Sequence, residues 1–420
     1  MLGRPIGLRA RAGFVAVVWL SLIGLGTAPR SVSAETTAVP DHLPLTETPP
    51  DTVELGHMLY NDLNISANRN TGCVTCHAHS AGFADPRSAA DPEGMPVSPG
   101  SVPGKYGTRN AQTSAYATFS PPFHWSEADG SYVGGQFWDG RANSLADQAV
   151  GPPLNPLEMA MADKKAVLAR LAENPVYLEA FRRLYGVDLK WNQIDLVYPK
   201  FGLAIAAFEP TDEFAEFNSK YDLYVAGQAE LTAQEKLGLE LFNGKAMCAN
   251  CHTSTPPENY PHTLFTDFTY DNLGIPVNPR IAELHGVDKL PPDLGLGGRP
   301  DIAAKHPDGS QEGKFKVSTL RNIELTAPYG HNGVFATLEQ IVHFYNTRDT
   351  LGEVPDAADP GFGVTGWPKP EVPETVNKTE LGNLGLTEEE EAAIVAFLKT
   401  LTDDSLDNDL TPESEAPLRR

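Results

Sequence analysis

The chain has 420 residues, 41% of them hydrophobic, enough for two packed domains with a sizeable core. Lys and Arg number 32 against 55 Asp and Glu, a formal net charge of −23 that argues against nucleic acid or an anionic membrane surface as partner. With 37 Gly and 36 Pro, many ordered loops are expected, in a chain neither mostly strand nor mostly long helix.

Residues 1–34 read as a secretory signal. Arg4, Arg9 and Arg11 precede a largely apolar run at 14–25, and Val32 and Ala34 are the small residues before a cut at Glu35. The apolar run is short for an anchor and no later stretch could span a bilayer, so the mature protein is expected to be exported without a membrane span. Residues 35–52, rich in Pro and Thr, form a flexible lead-in. Val53, Leu55, Met58, Leu59 and Leu63 then predict a short helix. It leads to Cys73-Val74-Thr75-Cys76-His77, after which residues 78–135 are rich in Gly, Pro and Ser and predict loops. Residues 162–185 carry a helical period with a break at Asn174-Pro175, and 194–208 predict another amphipathic helix.

A second unit opens near residue 226. Thr232-Ala233-Gln234-Glu235 is a capping box, and Leu237, Leu239, Leu241 and Phe242 follow it. The helix leads to Cys248-Ala249-Asn250-Cys251-His252, then to a Pro/Gly-rich stretch at 253–314 that predicts a functional or shielding loop. A further capping box, Thr387-Glu388-Glu389-Glu390, opens a helix with Ala393, Ile394, Phe397 and Leu398 on one face. The plan of helix, Cys/His motif, loops and closing helix thus occurs twice, over 53–225 and 226–403. Residues 404–420 read as a frayed, charged tail.

Every cysteine lies in a C-x-x-C-H motif. Two thiols on one turn can add to the two haem vinyl groups while the adjoining imidazole is directed at the iron. Two covalently bound c-type haems are therefore expected, on Cys73 and Cys76 with His77, and on Cys248 and Cys251 with His252. Zinc held by four Cys would not need a His after each pair, and C-x-x-C disulfides are redox devices rather than staples. No Met lies after Cys248, so a local sixth ligand of the second haem must be His, Tyr, Lys or water. The first haem has His79, Met95, His124, Met159 and Met161 within range.

Phe137-Trp138-Asp139-Gly140-Arg141-Ala142, Asn155-Pro156-Leu157-Glu158-Met159, and Thr319-Leu320-Arg321-Asn322 running into Thr326-Ala327-Pro328-Tyr329 mark the chain further. With two C-x-x-C-H motifs in this order, they resemble the bacterial dihaem cytochrome c peroxidase/MauG family over nearly the whole mature chain. The resemblance implies a mainly α fold of two cytochrome c-like haem domains with long ordered loops, a peroxide-reactive N-terminal haem and a six-coordinate C-terminal one. Trp138 matches the family's Trp between the haems, a relay for electron holes. Glu158 matches the acid/base carboxylate on the peroxide side, and Gln148 and Pro152 match other residues of that pocket. Asn110, Thr326 and Pro328 match the ligands of a Ca²⁺ between the domains.

Three departures carry information. The loop at 91–106 lacks the His with which many of these peroxidases block the first iron, implying an open site there. Tyr345 stands where the peroxidases place a Met ligand, as in the Tyr-ligated branch of the family, with His343 the nearest rival. Ala246 stands where that branch can carry a Trp leading to a protein substrate, so the exit path must differ, through Trp191, Trp367 or elsewhere. The implied activity is that of a periplasmic oxidoreductase. It would use H2O2 to reach a high-valent dihaem state that oxidises a partner-protein residue, a Trp above all. The alternatives are a peroxidase reducing H2O2 with electrons from a small cytochrome or cupredoxin, and a non-catalytic dihaem electron carrier.

Overall fold

Asp51 caps the first helix, Thr52–Tyr60, accepting from the Glu54 amide, and the apolar face expected there packs Leu55, Met58 and Leu59 inward. The computed structural model describes residues 49–257 and 260–409, all within one compact unit. The signal segment, most of the lead-in and residues 410–420 lie outside the described residues. The expected break at Asn174-Pro175 separates Lys164–Ala172 from Pro175–Tyr185, with Asn174 as N-cap and Pro175 at the first helical position. Ile194–Phe208 is helical as its period predicts. Both capping boxes form. Thr232 opens Ala233–Asn243 and Thr387 opens Glu388–Lys399.

The same packing device appears twice. Thr52–Tyr60 crosses Ile194–Phe208 at Gly56, where a Cβ would strike the Ala204 carbonyl and Phe208. Ala233–Asn243 crosses Glu388–Lys399 at Gly238, where a Cβ would strike the Ala393 carbonyl and Phe397. Each helix that leads into a Cys/His motif is thus seated on the helix that closes its own half. The apolar interior follows this plan in two large clusters, with a small third one of Tyr132, Tyr270, Leu296 and Ile302 beside them. One large cluster runs from Leu55 to Phe214, joined by Leu264, and the other from Tyr221 to Leu401.

The chain is mainly α, with cytochrome c-like halves and long ordered loops. Among the described residues the sheets are two-stranded ribbons: His124–Ser126 with Ser131–Val133, Tyr270–Asp271 with Phe315–Lys316, and Gly352–Glu353 with Gly366–Trp367. Three stretches differ from the sequence reading. The loop-rich stretch at 78–135 holds the first of these hairpins, and 253–314 holds two short helices, Pro279–Leu284 and Pro300–Lys305. The expected fraying does not begin at residue 404: Asp404–Asp409 is helical, with Leu406 buried.

Candidate functional site

Cys73–Cys76 is one helical turn opened by Gly72, whose amide donates to Thr75 Oγ1 at 3.0 Å. The turn closes through the His77 amide on the Cys73 carbonyl at 3.0 Å. The second motif repeats this with a 3₁₀ turn, Cys248–Asn250, and the His252 amide on the Cys248 carbonyl at 2.8 Å. A carbonyl can only accept, so His77 Nδ1 donates to Phe83 O (3.2 Å) and His252 Nδ1 to Phe265 O (3.0 Å). Each ring is thereby fixed as the tautomer whose Nε2 is free to bind a metal. Phe83 and Phe265 both adopt positive φ, +59° and +52°, a costly conformation for an aromatic residue, used in both halves to aim the carbonyl at the imidazole. Burial lowers both histidines below their ordinary range, favouring the neutral form that ligates iron.

The two motifs line separate cavities. Cys73, Cys76 and His77 face a cleft of about 1230 Å³ whose wall includes Gln148, Pro152 and Glu158. Of the five residues within range of the first iron, Met159 reaches that wall. Cys248, Cys251 and His252 face a narrower, more apolar cavity with Tyr345, Thr326 and Pro328. Trp138 and Asn110 line both. The Trp138 indole N–H donates to the Asn110 carbonyl at 2.9 Å, and its ring meets Phe315 edge-on at 6.4 Å.

Glu158 accepts from Asn155 Nδ2 at 2.6 Å. Burial raises its carboxyl above the ordinary value despite that bond and the nearby Arg141. Burial raises the Tyr345 phenol as well, aided by Cys248 and Cys251 beside it. A phenol so placed ionises only beside a cation, which a ferric centre in the same cavity would be. His343, two positions earlier on Leu338–Thr347, lies on another face of the helix, where its Nδ1 meets Glu391 at 3.0 Å, and it does not line the cavity. Met247 does line it, but belongs to the turn that carries His252 and so cannot supply the opposite side.

Three groups on these walls escaped the sequence reading. Glu209, at the C-cap of Ile194–Phe208, is 5% exposed, has an unpartnered Oε2, and is pushed up to about 8 by burial. His331 lines both cavities, with Nε2 on Glu371 at 3.1 Å and its ring stacked on Phe315 at 3.7 Å. Lys316 is buried with Nζ on the Gly135 carbonyl at 2.7 Å. Glu209 left no signal, because an acid closing an apolar helix reads as a solvated cap. His331 follows Thr326-Ala327-Pro328 closely enough to have been noticed.

The donor sets fit haem. The two pairs lie in different cavities, which removes a four-Cys zinc site. Residues 50–230 match the family model for di-haem cytochrome c peroxidase. The methylamine utilization protein MauG of Paracoccus denitrificans is 40% identical over 83% of this chain and 88% of its own length. The cytochrome c peroxidase Ccp of Escherichia coli is 31% identical over 75% of this chain and 57% of its own. Among solved structures, the diheme peroxidase BthA from Burkholderia thailandensis has a TM-score of 0.73 at 30% identity, covering 89% of this chain and 91% of that one. A MauG-like protein associated with microbial copper homeostasis has a TM-score of 0.62 at 27% identity, covering 93% and 100%. The likeness to MauG over most of both chains makes this chain a member of the dihaem cytochrome c peroxidase/MauG family, an H2O2-using oxidoreductase that carries two haems c.

Proposed function

We propose that the protein is a periplasmic dihaem oxidase that reacts with H2O2 at the His77 centre and draws the two electrons from a residue of a partner protein, a Trp by preference. Cys73, Cys76 and His77 would hold one haem, and Cys248, Cys251, His252 and Tyr345 the other. When bound, the haems supply peroxide reduction and storage of oxidising equivalents. Glu158, raised by burial, takes a proton from one peroxide oxygen and returns it to the other, while Gln148 and Pro152 shape the wall against which the peroxide lies. Trp138, on the wall of both cavities, splits one long electron transfer into two shorter ones. The Asn110 side chain with the Thr326 and Pro328 carbonyls would hold Ca²⁺, a hard cation suited to oxygen donors. Among the described residues no helix is long and apolar enough to cross a membrane.

The observation that carries this reading is Tyr345, and no opposing thioether, on the wall of the His252 cavity. A phenolate is a hard anionic donor that favours oxidised iron and lowers the reduction potential relative to thioether ligation. Such a centre accepts electrons poorly from a high-potential cytochrome and keeps oxidising equivalents well. The test mixes ferric protein with one equivalent of H2O2 and no reductant, then titrates with ferrocyanide. Withdrawal of two electrons per protein minutes later is expected. No withdrawal unless the protein is first half-reduced would contradict the proposal. That outcome would favour the second reading, a peroxidase fed by a small redox protein, which the E. coli relative and an acidic chain able to attract a basic donor support.

A further inference from the structure

With Ala246 at the second cavity, the oxidising equivalents need another way out. Trp367 is 3% exposed and packed among Phe344, Phe362 and Phe335. Trp191 is 70% exposed with Lys165 over its ring, and among the described residues no aromatic ring packs against it.

A continuous line of rings does reach the surface at the hairpin of His124–Ser126 and Ser131–Val133. Trp125, 39% exposed, is directly across from Tyr132, with ring centroids 5.1 Å apart. Tyr132 stacks on Phe123 at 4.9 Å, and Phe123 meets Tyr270 edge-on at 5.8 Å. Tyr270 pairs in register with Lys316, whose amide donates to the Trp138 carbonyl at 2.9 Å. Gly140 makes the junction possible. Any Cβ there would collide with the Tyr270 hydroxyl and the Phe123 ring, so a residue two after Trp138 must be glycine for the line to abut it. The Tyr132 hydroxyl lies 3.1 Å from His306 Nε2.

We propose that Trp125 and Tyr132, with His306 as proton acceptor, form a second, surface redox site at which an electron-rich aromatic side chain of the partner protein delivers its electrons. The inference rests on the proposed oxidase function and supplies its exit. Tyrosine loses its phenolic proton when one electron is removed, so a redox tyrosine away from water needs a base in hydrogen-bond contact. His306 Nε2 is that base. Burial and the Asp301 carboxylate hold the Tyr132 phenol above its ordinary value, so it meets His306 as O–H and not as phenolate. In each passage Tyr132 gives one electron inward, by way of Phe123 and Tyr270, to Trp138, and its proton to His306. One electron from Trp125 restores Tyr132 as the proton returns, and one electron from the partner's ring restores Trp125. Two passages supply the two electrons that one H2O2, with two protons, needs to become two waters. Glu127 and Asp129, exposed in the turn beside Trp125, suit a partner with Lys or Arg around its reactive ring.

The test treats holoprotein with H2O2 in air, without partner or reductant, and maps oxygen addition by peptide mass spectrometry. An oxidised Trp125 takes up dissolved dioxygen and is marked. Marking of Trp125 above Trp191 is expected, although Trp191 is the more exposed. Tyr132→Phe is expected to lower the marking of Trp125 at least ten-fold per peroxide consumed by the same variant, and His306→Phe to do likewise. Marking that follows exposure, with Trp191 first, or that is unchanged per peroxide in both variants, would overturn the route while leaving the oxidase reading intact. Failure of the wild-type protein to consume peroxide would overturn that reading, and the route with it.

Discussion

Tyr345 and His343 stand two positions apart on one helix, and only the first reaches the cavity of His252. The absence of a downstream Met left His, Tyr, Lys or water open in the sequence, and the family resemblance pointed to this pair, but helix phase, which decides between them, depends on where the helix packs. Glu158 shows the same division. The motif marks the residue, while the burial that raises its carboxyl is tertiary. Glu158→Gln is expected to slow the reaction with H2O2 by about 10²–10⁴-fold, as loss of a positioned acid/base does, with both haems still attached; stopped-flow mixing measures it.

Glu209 is a residue-scale feature that the sequence hid altogether. Its folded value, pushed up to about 8, lies above the ordinary 4.5, so the folded chain holds this proton where the unfolded chain has lost it. The stabilisation is complete below about pH 4.5 and is lost as pH rises through 8. Glu209→Gln, which keeps the shape and cannot ionise, is expected to match the wild type near pH 4 and exceed it at pH 8, by on the order of 4 kcal/mol. Thermal melts of the two proteins at both pH values check this.

At the scale of elements, capping boxes and period fixed the long helices closely, because Thr232 and Thr387 bond their own third residues whatever surrounds them. Short elements were not legible. A six-residue helix such as Pro279–Leu284 shows no full period, and the three-residue strands around Trp125 pack against the ring of His306, from a distant segment. The two helix crossings explain a choice that propensity opposes. Alanine favours helix over glycine by about 1 kcal/mol, yet Gly56→Ala or Gly238→Ala is expected to destabilise by about 1–3 kcal/mol, since the new Cβ meets backbone that cannot yield. A rise in melting temperature for either variant would refute the close approach.

Over the whole molecule, the repeated plan was visible as two motifs, two leading helices and two closing helices. Leu264, well beyond residue 226, packs into the first apolar cluster, a long-range contact that no local pattern carries. Each half holds its imidazole through a carbonyl of a phenylalanine at positive φ, and the halves share a wall at Trp138 and Asn110. They differ in what lines the cavity beside the histidine: an acid and an amide in the first, a phenol in the second. On the proposed function that asymmetry would divide the labour, one centre meeting peroxide and the other holding what peroxide leaves behind. Resonance Raman spectroscopy of the ferric protein tests it most directly. Phenolate vibrations enhanced through an iron charge-transfer band, present in the wild type and absent from Tyr345→Phe, are predicted; a second haem carrying the same axial signature in both proteins would contradict the account.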